Sequence, residues 1–266
     1  MELTGRTALV TGATGGLGHA VARALHARGA SLLLSGRRMD VLEPLAAELG
    51  GEAVAADLSD RADVARLAER AADVDVLVAN AGLSASGPIG RFEAEEIWRV
   101  LDVNLGATVL LTRAAVEGMA ARGAGHVLFM ASVSGMTGQP GGSLYSATKF
   151  GLRGYAQALR AELRPRGVGV SAVFPGFIRD AGMFHDAGAK VPWYLGTSSP
   201  EAVADAVVKA IERNIGELVV APPLTRVMTR FAVAAPRTAA LLARRVGGDE
   251  ITAKIIDGLA AGARRD

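Results

Sequence analysis

Thr7-Ala8-Leu9-Val10-Thr11-Gly12-Ala13-Thr14-Gly15-Gly16-Leu17-Gly18 opens as a short apolar, β-branched run and passes directly into a glycine-rich turn. The next stretch, Leu17–Arg28, has helical period. Glycines in such a turn let the backbone bend tightly and approach a pyrophosphate, whose charge is favoured at a helix N-terminus. Gly12, Gly16 and Gly18 are the close-approach positions, Leu17 lies between them, and Thr14 adds a hydroxyl donor. Glycines also serve ordinary turns. It is the order strand, turn, helix that points to a dinucleotide.

The same alternation continues down the chain. Further strands are expected at Ser31–Ser35, Ala53–Ala56, Val74–Ala79, His126–Ala131, Val168–Phe174 and Glu217–Ala221. Helices are expected at Met39–Leu49, Arg61–Ala72, Ile97–Ala121, Leu144–Leu163 and Pro200–Asn214. Continuous apolar strands separated by helices predict an α/β fold, a doubly wound parallel sheet with helices on both faces. Ligands then bind at the carboxyl ends of the strands. Residues 1–222 read as the catalytic domain, with a substrate loop at 177–199, and residues 223–266 as a C-terminal amphipathic helical extension.

The end of the second strand selects the dinucleotide. A carboxylate there would accept hydrogen bonds from a ribose diol and repel a 2′-phosphate, but the chain reads Ser35-Gly36-Arg37-Arg38. Guanidinium groups suit a phosphate by fork geometry and by charge. The plain alternative is two solvated arginines opening a helix. NADP(H) is therefore expected rather than NAD(H). Asp57 and Leu58 follow the third strand where an adenine would lie, although Asp57 or Ser59 also has the spacing of a helix cap.

Tyr145-Ser146-Ala147-Thr148-Lys149 opens a helical stretch, and a spacing of four puts Tyr145 and Lys149 on one face. A phenol titrates near ~10 unassisted, and a neighbouring ammonium lowers that value. The pair is a plausible acid/base unit for an alcohol oxygen. Ser132, just past the fifth strand, can hold that oxygen, with Ser134 as its rival. Asn104 interrupts an apolar helix, where an amide commonly satisfies a neighbour or bends the helix. Asn80-Ala81-Gly82 reads either as part of the site or as a plain turn, with Gly82 supplying an unusual backbone angle.

Taken together, TGATGGLG (Thr11–Gly18), ANAG (Ala79–Gly82), Asn104, Ser132, YSATK (Tyr145–Lys149) and Pro175-Gly176 resemble the short-chain dehydrogenase/reductase family in order and spacing, over about residues 5–220. The resemblance implies a Rossmann-type fold and hydride transfer between a nicotinamide and a carbonyl carbon. It implies Tyr145 as acid/base and Ser132 as anchor of the substrate oxygen. Lys149 would hold the nicotinamide ribose and lower the Tyr145 pKa, and Asn104 would support a proton-relay water. Pro175, Gly176 and Ile178 would line the nicotinamide. Arg37 stands where NADP-preferring members carry a basic residue. Two departures stand out: Arg179 where the family often has Thr, and Ala79 at the first position of the usual NNAG.

The substrate loop carries Phe177, Met183, Phe184, Val191, Trp193, Tyr194 and Leu195, which fits an apolar substrate, or packing of the loop on the domain, or a subunit contact. His185 reads as a polar loop residue. In the extension, Leu224, Val227, Met228 and Phe231 share a helical face, followed by Leu241, Leu242 and Val246 after Pro236, among five arginines and no carboxylate. Such a segment can cap the pocket, pack on a neighbouring subunit, or make a peripheral contact with an anionic membrane.

Bulk properties narrow the classes. A net charge of +2 with 5% aromatic residues argues against nucleic acid. With no cysteine, thiolate catalysis, disulfides and zinc–thiolate sites are excluded, and no metal is expected. The start lacks the pattern of a secretory signal and no apolar run spans a bilayer, which predicts a cytoplasmic protein. The reading is an NADP(H)-dependent oxidoreductase of a hydrophobic secondary alcohol/ketone pair, expected as a homo-oligomer, dimer or tetramer. The rival classes are a nucleotide-sensing regulator on the same fold, and a dehydratase or epimerase. The set Asn104, Ser132, Tyr145 and Lys149 argues against a sensor, which has no use for a proton relay.

Overall fold

The computed structural model describes residues 1–182 and 195–245. Among them run β1 (Thr7–Thr11), β2 (Ser31–Gly36), β3 (Glu52–Ala55), β4 (Val76–Ala79), β5 (Gly125–Met130), β6 (Val168–Pro175) and β7 (Glu217–Val220). All pair in parallel in the order β3-β2-β1-β4-β5-β6-β7. The chain winds outward from β1 to β3 and then returns to β4 on the other side of β1. That reversal leaves a crevice beyond the carboxyl ends of β1 and β4, where ligands of such sheets bind.

The helices are α1 (Gly16–His26), α2 (Met39–Glu48), α3 (Arg61–Ala71), α4 (Ala94–Leu101), α5 (Ala107–Arg122), α6 (Ser143–Leu163), α7 (Pro200–Arg213), α8 (Pro223–Ala234) and α9 (Pro236–Arg245). Strand side chains alternate between two cores. Ala8, Val10, Val76, Val78, Leu128 and Met130 meet α1, α2 and α7 on one face. Leu9, Leu77, Val127 and Phe129 meet α3, α5 and α6 on the other. Burial on both faces is why these strands are apolar throughout and lack an alternating pattern.

Two local expectations are corrected. The single helix expected over Ile97–Ala121 is interrupted: α4 ends at Leu101, Asp102–Gly106 forms a π-turn, and α5 resumes at Ala107. One extra residue in a turn leaves no mark on an apolar run, because Val103 and Leu105 keep it apolar. The helix also starts earlier, at Ala94, where Glu93 and Glu96 form a reciprocal capping box. The cap of α3 is neither Asp57 nor Ser59. It is Asp60, whose carboxylate accepts the N–H groups of Ala62 and Asp63 at 2.7 and 3.1 Å.

The extension forms two helices, α8 and α9, broken at Pro236 as its spacing suggested. Val246 lies outside the described residues, as do Met183, Phe184, His185, Val191, Trp193 and Tyr194 of the segment expected to form the substrate loop. No helix among the described residues is long and apolar enough to cross a membrane.

Candidate active site

A cleft of about 1710 Å³ opens at the carboxyl ends of the strands. The glycine turn forms one end. Gly12 takes a left-handed φ of +64°, and a Cβ there would lie 2.8 Å from the Ala81 Cα. A Cβ on Gly18 would lie 2.3 Å from the Gly12 carbonyl oxygen. Both contacts are with backbone, so only glycine fits. Helix α1 begins here with Gly15 as its N-cap and no side-chain cap, leaving the dipole end of the helix toward the cleft. Thr14, Gly16 and Leu17 line the same end.

Asn80 binds this turn to the sheet. Its N–H donates to Thr11 Oγ1 at 3.1 Å, and its side-chain amide donates to the carbonyls of Thr11 at 3.0 Å and Gly12 at 3.2 Å. The segment is therefore more than a plain turn, although Ala81 and Gly82 both line the cleft. Gly82 does not take the unusual backbone angle suggested for it; that angle belongs to Gly12.

Arg37 and Arg38 are exposed at the end of β2 and line the cleft. Arg38 donates to the Thr14 carbonyl at 2.7 Å, which secures the turn. Asp57 and Leu58 line the wall beside them. Burial alone would raise the Asp57 pKa. Hydrogen bonds from the Ser59 N–H and hydroxyl, with the charges of Arg37 and Arg99, instead hold it below the usual carboxylate range.

At the other end, Ser132 follows β5 in extended conformation, and its hydroxyl oxygen accepts the Ser134 N–H at 3.1 Å. The same hydroxyl is close enough to the Tyr145 phenol to hold down part of its pKa. Ser134 also lines the cleft, and its backbone N–H serves Ser132. Lys149 is buried one turn after Tyr145. Its Nζ donates to the Met130 carbonyl at 2.8 Å and lies 5.6 Å from the centre of the Tyr145 ring.

The electrostatics correct one expectation. Burial pushes the Tyr145 phenol up to about 12, and the nearby Ser132 hydroxyl offsets only part of this. Burial also carries the Lys149 ammonium down to about 8. Desolvation thus outweighs the attraction that was expected to lower the phenol.

Asn104 is the one expected site residue that does not line the cleft. It is fully buried behind the wall, inside the π-turn. Its Oδ1 accepts the Leu83 N–H at 2.6 Å, and its Nδ2 donates to the Leu83 carbonyl at 2.9 Å and to Thr148 Oγ1 at 3.3 Å. It therefore clamps the loop after β4 to helix α6 beside Lys149. Pro175, Gly176 and Ile178 line the cleft where β6 ends. Arg179 does not occupy a comparable place: its guanidinium pairs with Asp180 at 3.2 Å and donates to the Thr197 carbonyl at 3.4 Å.

The walls include residues that local sequence signals miss. Ser84, Ser86 and Gln139 place polar groups beyond Tyr145. Met228, Phe231, Ala239 and Leu242 of α8 and α9 close the far side, and the Thr225 hydroxyl joins α8 to the Leu195 carbonyl at 2.7 Å. Ser84, Ser86 and Gln139 carry no local signal, whereas Met228, Phe231 and Leu242 belong to the amphipathic face for which capping the pocket is one of the expected alternatives.

The family model for short chain dehydrogenases matches residues 6–192. The chain belongs to the short-chain dehydrogenase/reductase family. Nodulation protein G of a Rhizobium species is 46% identical over 186 residues, 68% of this chain and 76% of that one. Ketoacyl reductase HetN of a Nostoc species is 36% identical over 242 residues, 87% and 84% of the two chains. Among solved structures, a short-chain dehydrogenase from Sphingobium yanoikuyae in complex with NADPH superposes with a TM-score of 0.77 at 32% identity, covering 89% of this chain and 95% of that one. As a short-chain dehydrogenase/reductase, the protein is an NAD(P)-dependent oxidoreductase acting on CH–OH and carbonyl groups. The capless helix end and the clash-limited glycines fit a dinucleotide at this cleft.

Proposed function

We propose that the enzyme is an NADP(H)-linked reductase of an apolar ketone, running also in reverse on the secondary alcohol, with Tyr145 as its acid/base. The observation that carries this reading is the meeting of Ser132, the Tyr145 phenol and the buried Lys149 ammonium, 5.6 Å from the phenol ring centre, in the same cleft as Arg37. Gly12, Thr14, Gly16, Leu17, Gly18, Asn80, Ala81 and Gly82 would hold the pyrophosphate half and the adjoining ribose. Asp57 and Leu58 would meet the adenine, and Arg37 and Arg38 the 2′-phosphate. Pro175, Gly176 and Ile178 would line the nicotinamide. When bound, the nicotinamide supplies or accepts the hydride.

Ser132 holds the substrate oxygen by a hydrogen bond. Tyr145 gives that oxygen its proton as negative charge develops there, and the two donors are already oriented before the charge appears. A phenol with a pKa near about 12 is protonated at neutral pH, which suits proton donation. Lys149, its Nζ held on the Met130 carbonyl, would hold the nicotinamide ribose, and it supplies positive charge beside the phenol as the phenol loses its proton. Asn104 keeps the loop after β4 and helix α6 in register, and can support a water on the relay path.

Apolar side chains of α8 and α9 line the substrate side, with Leu195, so the substrate is hydrophobic. HetN is named a ketoacyl reductase, which supports reduction of a ketone. Trp98, Leu110 and Phe150, exposed on α4, α5 and α6, support a homo-oligomer. The test is to incubate the purified enzyme with NADPH and ketones of increasing apolar length, following loss of reduced nicotinamide and gain of alcohol. Turnover that rises with apolar length is expected. Absence of turnover on every ketone and alcohol, with either nicotinamide, would overturn the reading.

A further inference from the structure

Helices α8 and α9 do more than close a cleft. Of the eleven large hydrophobic side chains exposed among the described residues, seven lie within residues 223–245: Leu224, Val227, Met228, Phe231, Val233, Leu241 and Leu242. Single exposed apolar residues are ordinary, but such a concentration on two adjoining helices marks an interaction surface, with Val233 set apart on the other side of α8 beside Arg226 and Arg230. On α8 the spacing of Leu224, Val227, Met228 and Phe231 places them on one face. Val227 and Leu241 are 64% and 60% exposed and take no part in lining the cleft.

The charge of the same segment has one sign. Arg226, Arg230, Arg237, Arg244 and Arg245 fall here, and no Asp or Glu occurs between Ala221 and Gly248. The surface also adjoins the mouth of the cleft. Met228, Phe231 and Leu242 line the cleft while remaining 42–51% exposed, so they stand at its rim.

We propose that α8 and α9 dock the enzyme on an anionic lipid bilayer, with the rim of the cleft facing the lipid. Apolar side chains insert at the boundary of headgroups and acyl chains, while arginines meet the lipid phosphates. A second copy of the chain fits poorly, because a two-fold contact would set arginines of one copy against those of the other. Nucleic acid fits poorly as well, because Phe231 is the one aromatic among the exposed apolar side chains of the described part of this segment, too few to stack bases. Docking is independent of the chemistry assigned to the cleft. Delivery of an apolar substrate from the bilayer rests on that assignment.

The test is co-sedimentation of the full chain with vesicles of phosphatidylcholine alone, or mixed with phosphatidylglycerol, at low and high salt. Binding to the mixed vesicles only, weakened by salt, is expected. The double variant Val227→Ser with Leu241→Ser should bind about tenfold more weakly or worse. Arg237→Glu with Arg245→Glu should weaken binding by at least about fivefold per charge removed. Both should keep wild-type rates of NADPH-dependent reduction on a small water-soluble ketone. Absence of vesicle binding, or equal binding to neutral vesicles, would overturn the proposal. So would a change of oligomeric state in V227S/L241S by size-exclusion chromatography without any effect on vesicle binding. If wild type binds the mixed vesicles but reduces no ketone, docking stands and the chemical reading falls.

Discussion

Replacing Asn104 by Ala removes a clamp without touching the cleft surface. The amide is completely buried and makes three hydrogen bonds, two of them to the backbone of Leu83. In the Asn104→Ala variant the Leu83 N–H and carbonyl lose their partners, at ~1–3 kcal/mol for each unsatisfied group. Leu83 is only partly buried, so water can recover part of this. A net loss of ~2–4 kcal/mol is expected, which for a chain of this size lowers the Tm by ~5–15 °C. Thermal unfolding followed by circular dichroism measures it.

Asn104→Asp separates the hydrogen-bond pattern from the volume. An ionised carboxylate still accepts from the Leu83 N–H but sets an oxygen against the Leu83 carbonyl, whereas the protonated acid can donate to it. Burial without a partner raises the folded-state pKa of the introduced carboxyl above its unfolded value. The stability of this variant is therefore greatest in acid and falls as pH rises through the ordinary carboxylate range, where the unfolded chain ionises first. The loss levels off once the folded carboxyl also ionises. A Tm for N104A within about 2 °C of wild type would refute the clamp, as would an N104D variant with no such pH dependence.

Other perturbations address the cleft. Arg37→Ala should weaken NADPH binding by roughly 10–100-fold while sparing NADH, since one charge-assisted contact is worth about 1.5–3 kcal/mol; fluorescence titration measures both. Gly18→Ala should destabilise the protein and abolish dinucleotide binding, because its Cβ meets fixed backbone at 2.3 Å, whereas Gly15→Ala meets only an ordinary contact at 3.6 Å and should be tolerated. Lys149 sits in the fold with its pKa lowered to about 8, so the buried ammonium opposes folding at neutral pH and that cost disappears as pH rises toward 10.5. Lys149→Met should accordingly raise the Tm near neutral pH while weakening NADPH binding. In the wild type, NADPH affinity should fall as pH rises through about 8, and in K149M that inflection should vanish.

What the sequence discloses and what it hides follow from range. The parallel sheet is legible because each strand is buried on both faces and each helix carries a 3.6-residue period. The glycine turn and the Tyr145–Lys149 spacing are legible because each is complete within a few residues. Asn104 shows only as a polar interruption; its partners Leu83 and Thr148 lie 21 and 44 residues away. The π-turn around it is invisible to periodicity. Spacing alone points the Tyr145 pKa the wrong way, because helical proximity reveals Lys149 but not the burial that outweighs it. Spacing also offered Asp57 and Ser59 as caps, when Asp60 faces the free N–H groups of α3. The apolar face of α8 and α9 is legible in the sequence, but which of its alternatives it fills depends on how the chain returns after β7.

The most direct test of the central claim is single-turnover reduction of an apolar ketone by the Tyr145→Phe variant, preloaded with NADPH. The expected result is NADPH affinity within a few-fold of wild type and a hydride-transfer rate lower by about 10²–10⁴-fold, the range for loss of a positioned acid. A Y145F variant that binds NADPH and reduces the ketone at near the wild-type rate would contradict it.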